Sequence, residues 1–176
     1  MREVQDTRNQ PLIQVDNLKK YFSLKSGKLF DKTERKLHAV DGISFQIQKG
    51  ETFALVGESG CGKTTVGKTI LRFHEPTDGA VYFDGQDIFQ LDKAQFHNMR
   101  RNMQMIFQDP YSSLNPRMTI FESVADVMRI HHMYKGAALE KRVYSLLDMV
   151  GLPSWLAKRY PHEFSGGQLQ RACIAR

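Results

Sequence analysis

The run Gly57-Glu58-Ser59-Gly60-Cys61-Gly62-Lys63-Thr64-Thr65 holds the densest chemistry in this chain. Its glycines let the backbone curl so that successive N–H groups converge on one anion. Lys63 supplies an ammonium that can reach the outer groups of a polyphosphate. Thr64 supplies a hydroxyl of the kind that ligates Mg²⁺. Glu58, Ser59, Cys61 and Thr65 complete the loop. A helix starting at its end would add the positive pole of its dipole. The spacing G-x-x-x-x-G-K-[ST] distinguishes this from a glycine turn only if a strand precedes it and a helix follows. Phe53-Ala54-Leu55-Val56 reads as that strand, and Val66 to Phe73 continues at helical spacing.

A second run, Phe164-Ser165-Gly166-Gly167-Gln168-Leu169-Gln170-Arg171, has a local and a chemical reading. Ser165 and Gln168, three apart, make a capping box for a helix through Arg176. The box does not explain the paired glycines, which weaken a helix start; a second anion-binding helix N-terminus does. Cys61 lies where a helix dipole could favour thiolate. Alkylating it is therefore expected to interfere with nucleotide binding, the alternative being that it is a small filler in the loop. His131 and His132 are adjacent and point to different faces, with no third ligand near in sequence, so they are not read as a metal site.

The elements that must position these residues follow from pattern. Leu12 to Val15 reads as a short strand, and Ser23 to His38 as a loop or extended hairpin. Ile43, Phe45 and Ile47 alternate with polar residues, as on a half-buried strand. Ala80 to Phe83 is a strand between Asp78-Gly79 and Asp84-Gly85. Leu91 to Arg101 reads as helix, and Met103 to Phe107 as an apolar run. Thr119 and Glu122 predict a capping box ahead of a helix with Phe121, Val124, Ala125 and Met128 on one face. Leu139, Val143, Leu146, Leu147 and Val150 form a second stripe, stopped by Gly151 and Pro153.

At 176 residues and 41% hydrophobic content, the chain is one domain or most of one, with a real core. No stretch approaches the ~20 apolar residues of a membrane span. Met1 to Gln10 is polar and lacks the apolar region of a secretory signal. Cys61 and Cys173 belong to no spaced framework, which favours a reducing, cytoplasmic setting. The net charge of +6 is scattered. The densest basic stretch, Lys19 to Lys36, also holds Asp31 and Glu34, so it reads as a solvated loop and not a nucleic-acid arm. Mixed strands, a phosphate loop, another strand and a mostly helical block fit an α/β core with a helical insertion.

Taken together, the two glycine motifs resemble the ATP-binding subunit of an ABC transporter, whose signature L-S-G-G-Q appears here with Phe164 leading. Gln108, in Met105-Ile106-Phe107-Gln108-Asp109-Pro110, matches the family's Q-loop glutamine. Phe22 matches the aromatic that stacks on adenine, although Tyr21 and Phe22 also read as edge-strand packing. The stretches Gln104 to Pro110, Ser112 to Thr119 and Arg159 to Gln168 are similar to oligopeptide/dipeptide importer ATPases. Nickel and glutathione importers share them, so the cargo stays open. The resemblance runs from Leu12 to Arg176.

The resemblance implies a P-loop NTPase fold of the ABC nucleotide-binding type. Its first part would span 1–110, its helical subdomain 111–164 and its signature helix 165–176. It implies ATP and Mg²⁺ as cofactors. Gly57 to Thr65 would wrap the phosphates, Lys63 would contact the outer two, and Thr64 and Gln108 would serve Mg²⁺. Lys63 and Gln108 are the expected catalytic residues. Ser165, Gly166 and Gly167, which with Gln168 make up the signature, would reach the γ-phosphate held by a second, identical or homologous subunit in a head-to-tail dimer. Further implied partners are transmembrane permease subunits, met by the block from Tyr111 to Trp155, and indirectly a solute-binding protein. The implied setting is peripheral, on the cytoplasmic face of the membrane, with no nucleic acid bound.

The family continues past the signature with an apolar strand ending in Asp and Glu and then a switch histidine. The sequence stops at Arg176 before any of these, which reads as a fragment or as a truncated product. Little ATPase activity is therefore expected of the 176-residue chain alone, and unpaired strand edges are expected in its sheet. The rival readings are a remnant that binds nucleotide weakly, an ABC ATPase of a non-transport system and a small-molecule kinase. Ser165 to Gln168 speaks against the kinase, and the lack of tandem domains or a long coiled coil speaks against the non-transport system.

Overall fold

The computed structural model describes residues 10–24 and 35–176, arranged as two compact units, Met1–Met103 and Gln104–Arg176. The expectations for the N-terminal tail and for the middle of the Ser23 to His38 segment lie outside the described residues.

The first unit is built on an antiparallel sheet of four strands, ordered β2-β1-β3-β4. β1 (Ile13–Leu24) and β2 (Arg35–Ile47) form a long ribbon, in register from Ile13 opposite Ile47 to Leu24 opposite Arg35. β3 (Asp78–Phe83) lies on the other side of β1, and β4 (Gln86–Asp87) closes the edge. β1 extends well past the expected Leu12 to Val15. Asn17 sits at φ 45° and the register shifts around it, so the two-residue alternation breaks where a pattern reading stops. Val15, Leu18, Val81 and Ile88 are fully buried, and Phe96 and Met99 close the core over them.

Phe53 to Val56, expected as the strand feeding the loop, is not a strand here. Phe53 and Leu55 are each 41% exposed and Val56 is 87% exposed. Phe53 is held instead by its ring, which stacks on Phe45 at 4.8 Å. An apolar run encodes a tendency to be buried, whereas a strand also needs a ladder partner. No strand among the described residues pairs with this run. The apolar run Met103 to Phe107 likewise adopts no regular structure, and Ile106 is 55% exposed.

α1 (Lys63–Ile70) leaves the glycine loop and ends three residues short of Phe73, capped at Leu71. Arg72, at φ 54°, donates to the Ile88 and Leu91 carbonyls at 3.0 Å each. Its guanidinium and that of Arg100 both lie 4.9 Å from the Phe96 ring. These contacts fix the end of α1 against the segment entering α2 (Lys93–Met99), which Asp92 and Gln95 cap reciprocally.

The second unit is helical: α3 (Pro110–Ser113), α4 (Ile120–Ile130), α5 (Gly136–Met149) and α6 (Gly166–Ala175), with 3₁₀ turns at Ser154–Lys158 and Pro161–Glu163. The Thr119–Glu122 capping box forms as the spacing predicts. Gly151, at φ 67°, follows the end of α5 in a conformation that suits glycine. The two apolar stripes meet: Val124, Ala125 and Met128 of α4 share one core with Leu139, Val143 and Leu147 of α5 and with Leu169 and Ala172 of α6. Among the described residues, no helix is long and apolar enough to cross a membrane.

Candidate functional site

The glycine loop ends at Gly62, which caps α1 at φ 98° with no side-chain bond. A Cβ at Gly62 would lie 2.1 Å from the Ala39 carbonyl oxygen, so only glycine fits. The first helical hydrogen bond runs from Val66 N–H to the Gly62 carbonyl, at 2.9 Å. The amides of Lys63, Thr64 and Thr65 precede it and therefore have no acceptor within the helix. They face the loop together with the helix pole. Within the loop, Cys61 N–H donates to the Glu58 carbonyl at 3.3 Å, which closes the curl.

Lys63 folds its ammonium back over this curl. Nζ donates to the carbonyls of Gly57 at 2.8 Å and Glu58 at 2.5 Å, and lies 3.5 Å from Cys61 Sγ. The predicted residues Gly57 to Thr65 are thus gathered around one cation and the start of one helix. Thr64 is exposed at the second position of α1. Its hydroxyl is a hard oxygen donor, the type Mg²⁺ accepts while keeping water and phosphate oxygens as its other ligands.

The two β1 aromatics face different neighbours. Tyr21 stacks on His38 at 3.9 Å, and its hydroxyl donates to Asp41. That bond pushes the Tyr21 phenol up and holds the Asp41 carboxyl below the usual carboxylate range. On the same stretch Lys19 pairs with Asp78 at 3.0 Å, and the pair holds Asp78 low. Phe22 instead meets His74 edge to face, with centroids 5.4 Å apart, and carries the Lys20 ammonium 5.0 Å from its ring centre. Tyr21 is therefore committed to the sheet, while Phe22 lies against the segment that follows α1.

In the helical unit, Ser165 caps α6. Its hydroxyl accepts from Gln168 N–H at 3.4 Å, and Gln168 Oε1 accepts from Ser165 N–H at 3.0 Å. The local reading of Ser165 and Gln168 is thus realised in full. The glycines between them are another matter. A Cβ at Gly166 or Gly167 would meet nothing within 4 Å, and neither sits at positive φ. Packing among the described residues gives no reason for either.

α6 is tied to the segment after Gln108. Arg176 donates to the Ser113 carbonyl at 2.6 Å, and Tyr111 donates to the Phe164 carbonyl at 3.5 Å. Cys173, whose thiol burial pushes up, leans on the Pro110 carbonyl at 3.7 Å. Gln108 itself is exposed, one residue before Asp109, the cap of α3. The loop and Phe22 belong to the first unit, and Gln108 and Ser165 to Gln168 belong to the second. Pattern reading had missed the Asp92–Gln95 box and the Lys20 and His74 contacts to Phe22. The first has a local spacing signal, whereas the His74 contact joins residues 52 positions apart and leaves none.

A curled glycine loop feeding a helix that opens with Lys and Thr has the form of a P-loop, although the strand expected ahead of it is not formed. The chain belongs to the ABC transporter family, whose pattern residues 40–176 match. It is 49% identical over 167 residues to the glutathione import ATP-binding protein GsiA of Pectobacterium atrosepticum, covering 95% of this chain and 27% of that protein. It is 46% identical over 168 residues to the oligopeptide transport ATP-binding protein AppF of Bacillus subtilis, covering 95% of this chain and 51% of that protein. The chain thus spans between a quarter and about half the length of these relatives. Among solved structures, it resembles a dimeric post-hydrolysis state of the ATP-binding cassette MJ0796 bound to ADP and Pi. The TM-score is 0.76 at 28% identity, over 93% of this chain and 67% of that one.

Proposed function

We propose that this chain is the ATP-binding part of a subunit that powers solute import, with di- or oligopeptides or glutathione as the solute class. The observation that carries this reading is the pair of glycine-lined helix starts, one in each unit. The first is closed by its own lysine. The second presents two glycines that nothing among the described residues requires. Such a start, with open space where side chains would be, suits close approach by a ligand held on another molecule.

In this reading the amides of Lys63, Thr64 and Thr65 and the ammonium of Lys63 bind the triphosphate. A charged phosphate oxygen displaces the Gly57 and Glu58 carbonyls from Nζ because its hydrogen bond is the stronger. Thr64 and Gln108 are the residues that would hold Mg²⁺, which neutralises phosphate charge when bound. Phe22 carries the adenine. Ser165, Gly166 and Gly167 meet the γ-phosphate bound by a second copy or a homologous subunit, and Gln168 closes the capping box behind them. Nucleotide that touches both subunits only in the closed pair favours closure by differential affinity, and loss of the bridging phosphate releases it. Lys63 and Gln108 are the catalytic residues of this scheme. The block from Tyr111 to Trp155 meets the permease at the cytoplasmic face of the membrane, the solute reaching it through a solute-binding protein. The names of the relatives, which include glutathione and oligopeptide import proteins, support the solute class.

The first test is a calorimetric titration of the chain with ATP in competition with inorganic tripolyphosphate. The reading expects one ATP site from which tripolyphosphate displaces the nucleotide, since the loop recognises phosphate oxygens. Absence of ATP binding, or ATP binding indifferent to tripolyphosphate, contradicts it.

A further inference from the structure

Phe22 would make a poor platform for a base if its ring could swing freely at the end of β1, and the structure shows how it is held. The segment after α1 is stitched to β1 along the three residues that precede Phe22. Thr77 N–H donates to the Lys19 carbonyl at 2.7 Å, and Tyr21 N–H donates to Thr77 Oγ1 at 2.9 Å. Lys20 Nζ donates to the Glu75 carbonyl at 2.8 Å. The same ammonium lies 5.0 Å from the Phe22 ring centre, within range of a cation–π contact. His74 meets that ring at 88°, with the centroids 5.4 Å apart, in the edge-to-face geometry aromatic pairs prefer.

We infer that Lys20 and His74 are positioning residues for the nucleobase: they fix the Phe22 ring and join it to the helix that rises from the phosphate loop. The inference rests on the nucleotide reading above and adds to it the residues that hold the base end of the site. Lys20 acts in two ways with one group. Its carbonyl bond anchors the 74–77 segment, and its charge sits against the ring's electron-rich face. His74 lies four residues past the end of α1, whose other end is the phosphate-binding turn at Gly62. A rigid helix about 12 Å long therefore separates the phosphate end from the base end. Neither side chain need touch phosphate, so the two ends can be tested separately.

The test compares ATP with inorganic tripolyphosphate, which has the phosphates and no base. Affinities of both are measured by calorimetry on the full chain as wild type, Phe22→Ala, Lys20→Met, Lys20→Arg and His74→Ala, and on the double variant Phe22→Ala/Lys20→Met. Lys20→Met and His74→Ala are each expected to weaken ATP by about two- to fivefold, with tripolyphosphate unchanged. Lys20→Arg keeps ATP affinity, because the cation remains. The double variant is no weaker than Phe22→Ala alone, because Lys20 acts through that ring. Unchanged tripolyphosphate binding also reports that each variant is folded. ATP affinity equal to wild type in both single variants overturns the inference, as does an equal loss for both ligands. A wild-type chain that binds neither ligand overturns the nucleotide reading itself, and the inference with it.

Discussion

Replacing Lys63 by Met is expected to weaken ATP binding by about ten- to a hundredfold, the range for hydrogen bonds to a charged group. Met keeps the apolar stem and removes only the ammonium. Tripolyphosphate should suffer the same loss, because the contact is to phosphate and not to the base. The salt dependence of binding should also flatten, since one cation fewer faces the ligand. Folding should change little. Lys63 makes its bonds to Gly57 and Glu58 at the surface, where water can take over both carbonyls. Calorimetry at two salt concentrations checks all three statements. Wild-type affinity in Lys63→Met would remove the loop from the account.

Gly62→Ala is expected to damage both binding and stability. The new methyl would lie 2.1 Å from the Ala39 carbonyl oxygen, a backbone atom of β2 that cannot rotate away. The φ of 98° adds strain of about 1–3 kcal/mol for any residue with a Cβ. The turn must reorganise, and with it the orientation of the Lys63 to Thr65 amides. Nucleotide affinity should fall at least tenfold, and thermal unfolding should shift down by several degrees, about 2–4 °C per kcal/mol for a chain of 176 residues. Gly60→Ala is the control. Gly60 also has positive φ, 83°, yet a Cβ there meets nothing within 4 Å. It should share the strain and escape the collision. Equal effects of the two substitutions would show that the contact with Ala39 is immaterial.

The features legible in the sequence were those encoded within a few residues. The Thr119–Glu122 and Ser165–Gln168 boxes depend on a spacing of three positions and form as read, and the glycine loop curls into a helix opening with Lys and Thr, though without the strand expected ahead of it. The stripes of α4 and α5 were legible for the same reason, because helical periodicity is local. What depended on a distant partner was not. Phe53 to Val56 has the composition of a strand, but pairing is decided by what lies beside it. β1 was undercalled because Asn17 and the polar pair Lys19-Lys20 interrupt its alternation, while β2 and β3 supply ladder bonds on either side. Phe22 is marked in the sequence only by its match to the family's adenine-stacking aromatic, and its bracing by Lys20 and His74 emerges only once β1 and the end of α1 are brought together.

The two halves of the candidate site have opposite relations to their surroundings. At Gly62 the fold itself demands glycine. At Gly166 and Gly167 the fold demands nothing, and the proposed demand comes from a nucleotide carried by another subunit. A cross-link between copies tests this difference directly. Cys61, exposed in the loop, is paired with Ser165→Cys in a second copy, and Cys173→Ser removes the other thiol. A short bis-maleimide, which adds one thiol at each end, is then supplied with and without a non-hydrolysable ATP analogue. The account predicts a covalent dimer that forms only with the analogue and only when Ser165→Cys is present. No dimer with saturating analogue, or a dimer that forms equally without it, would contradict the account.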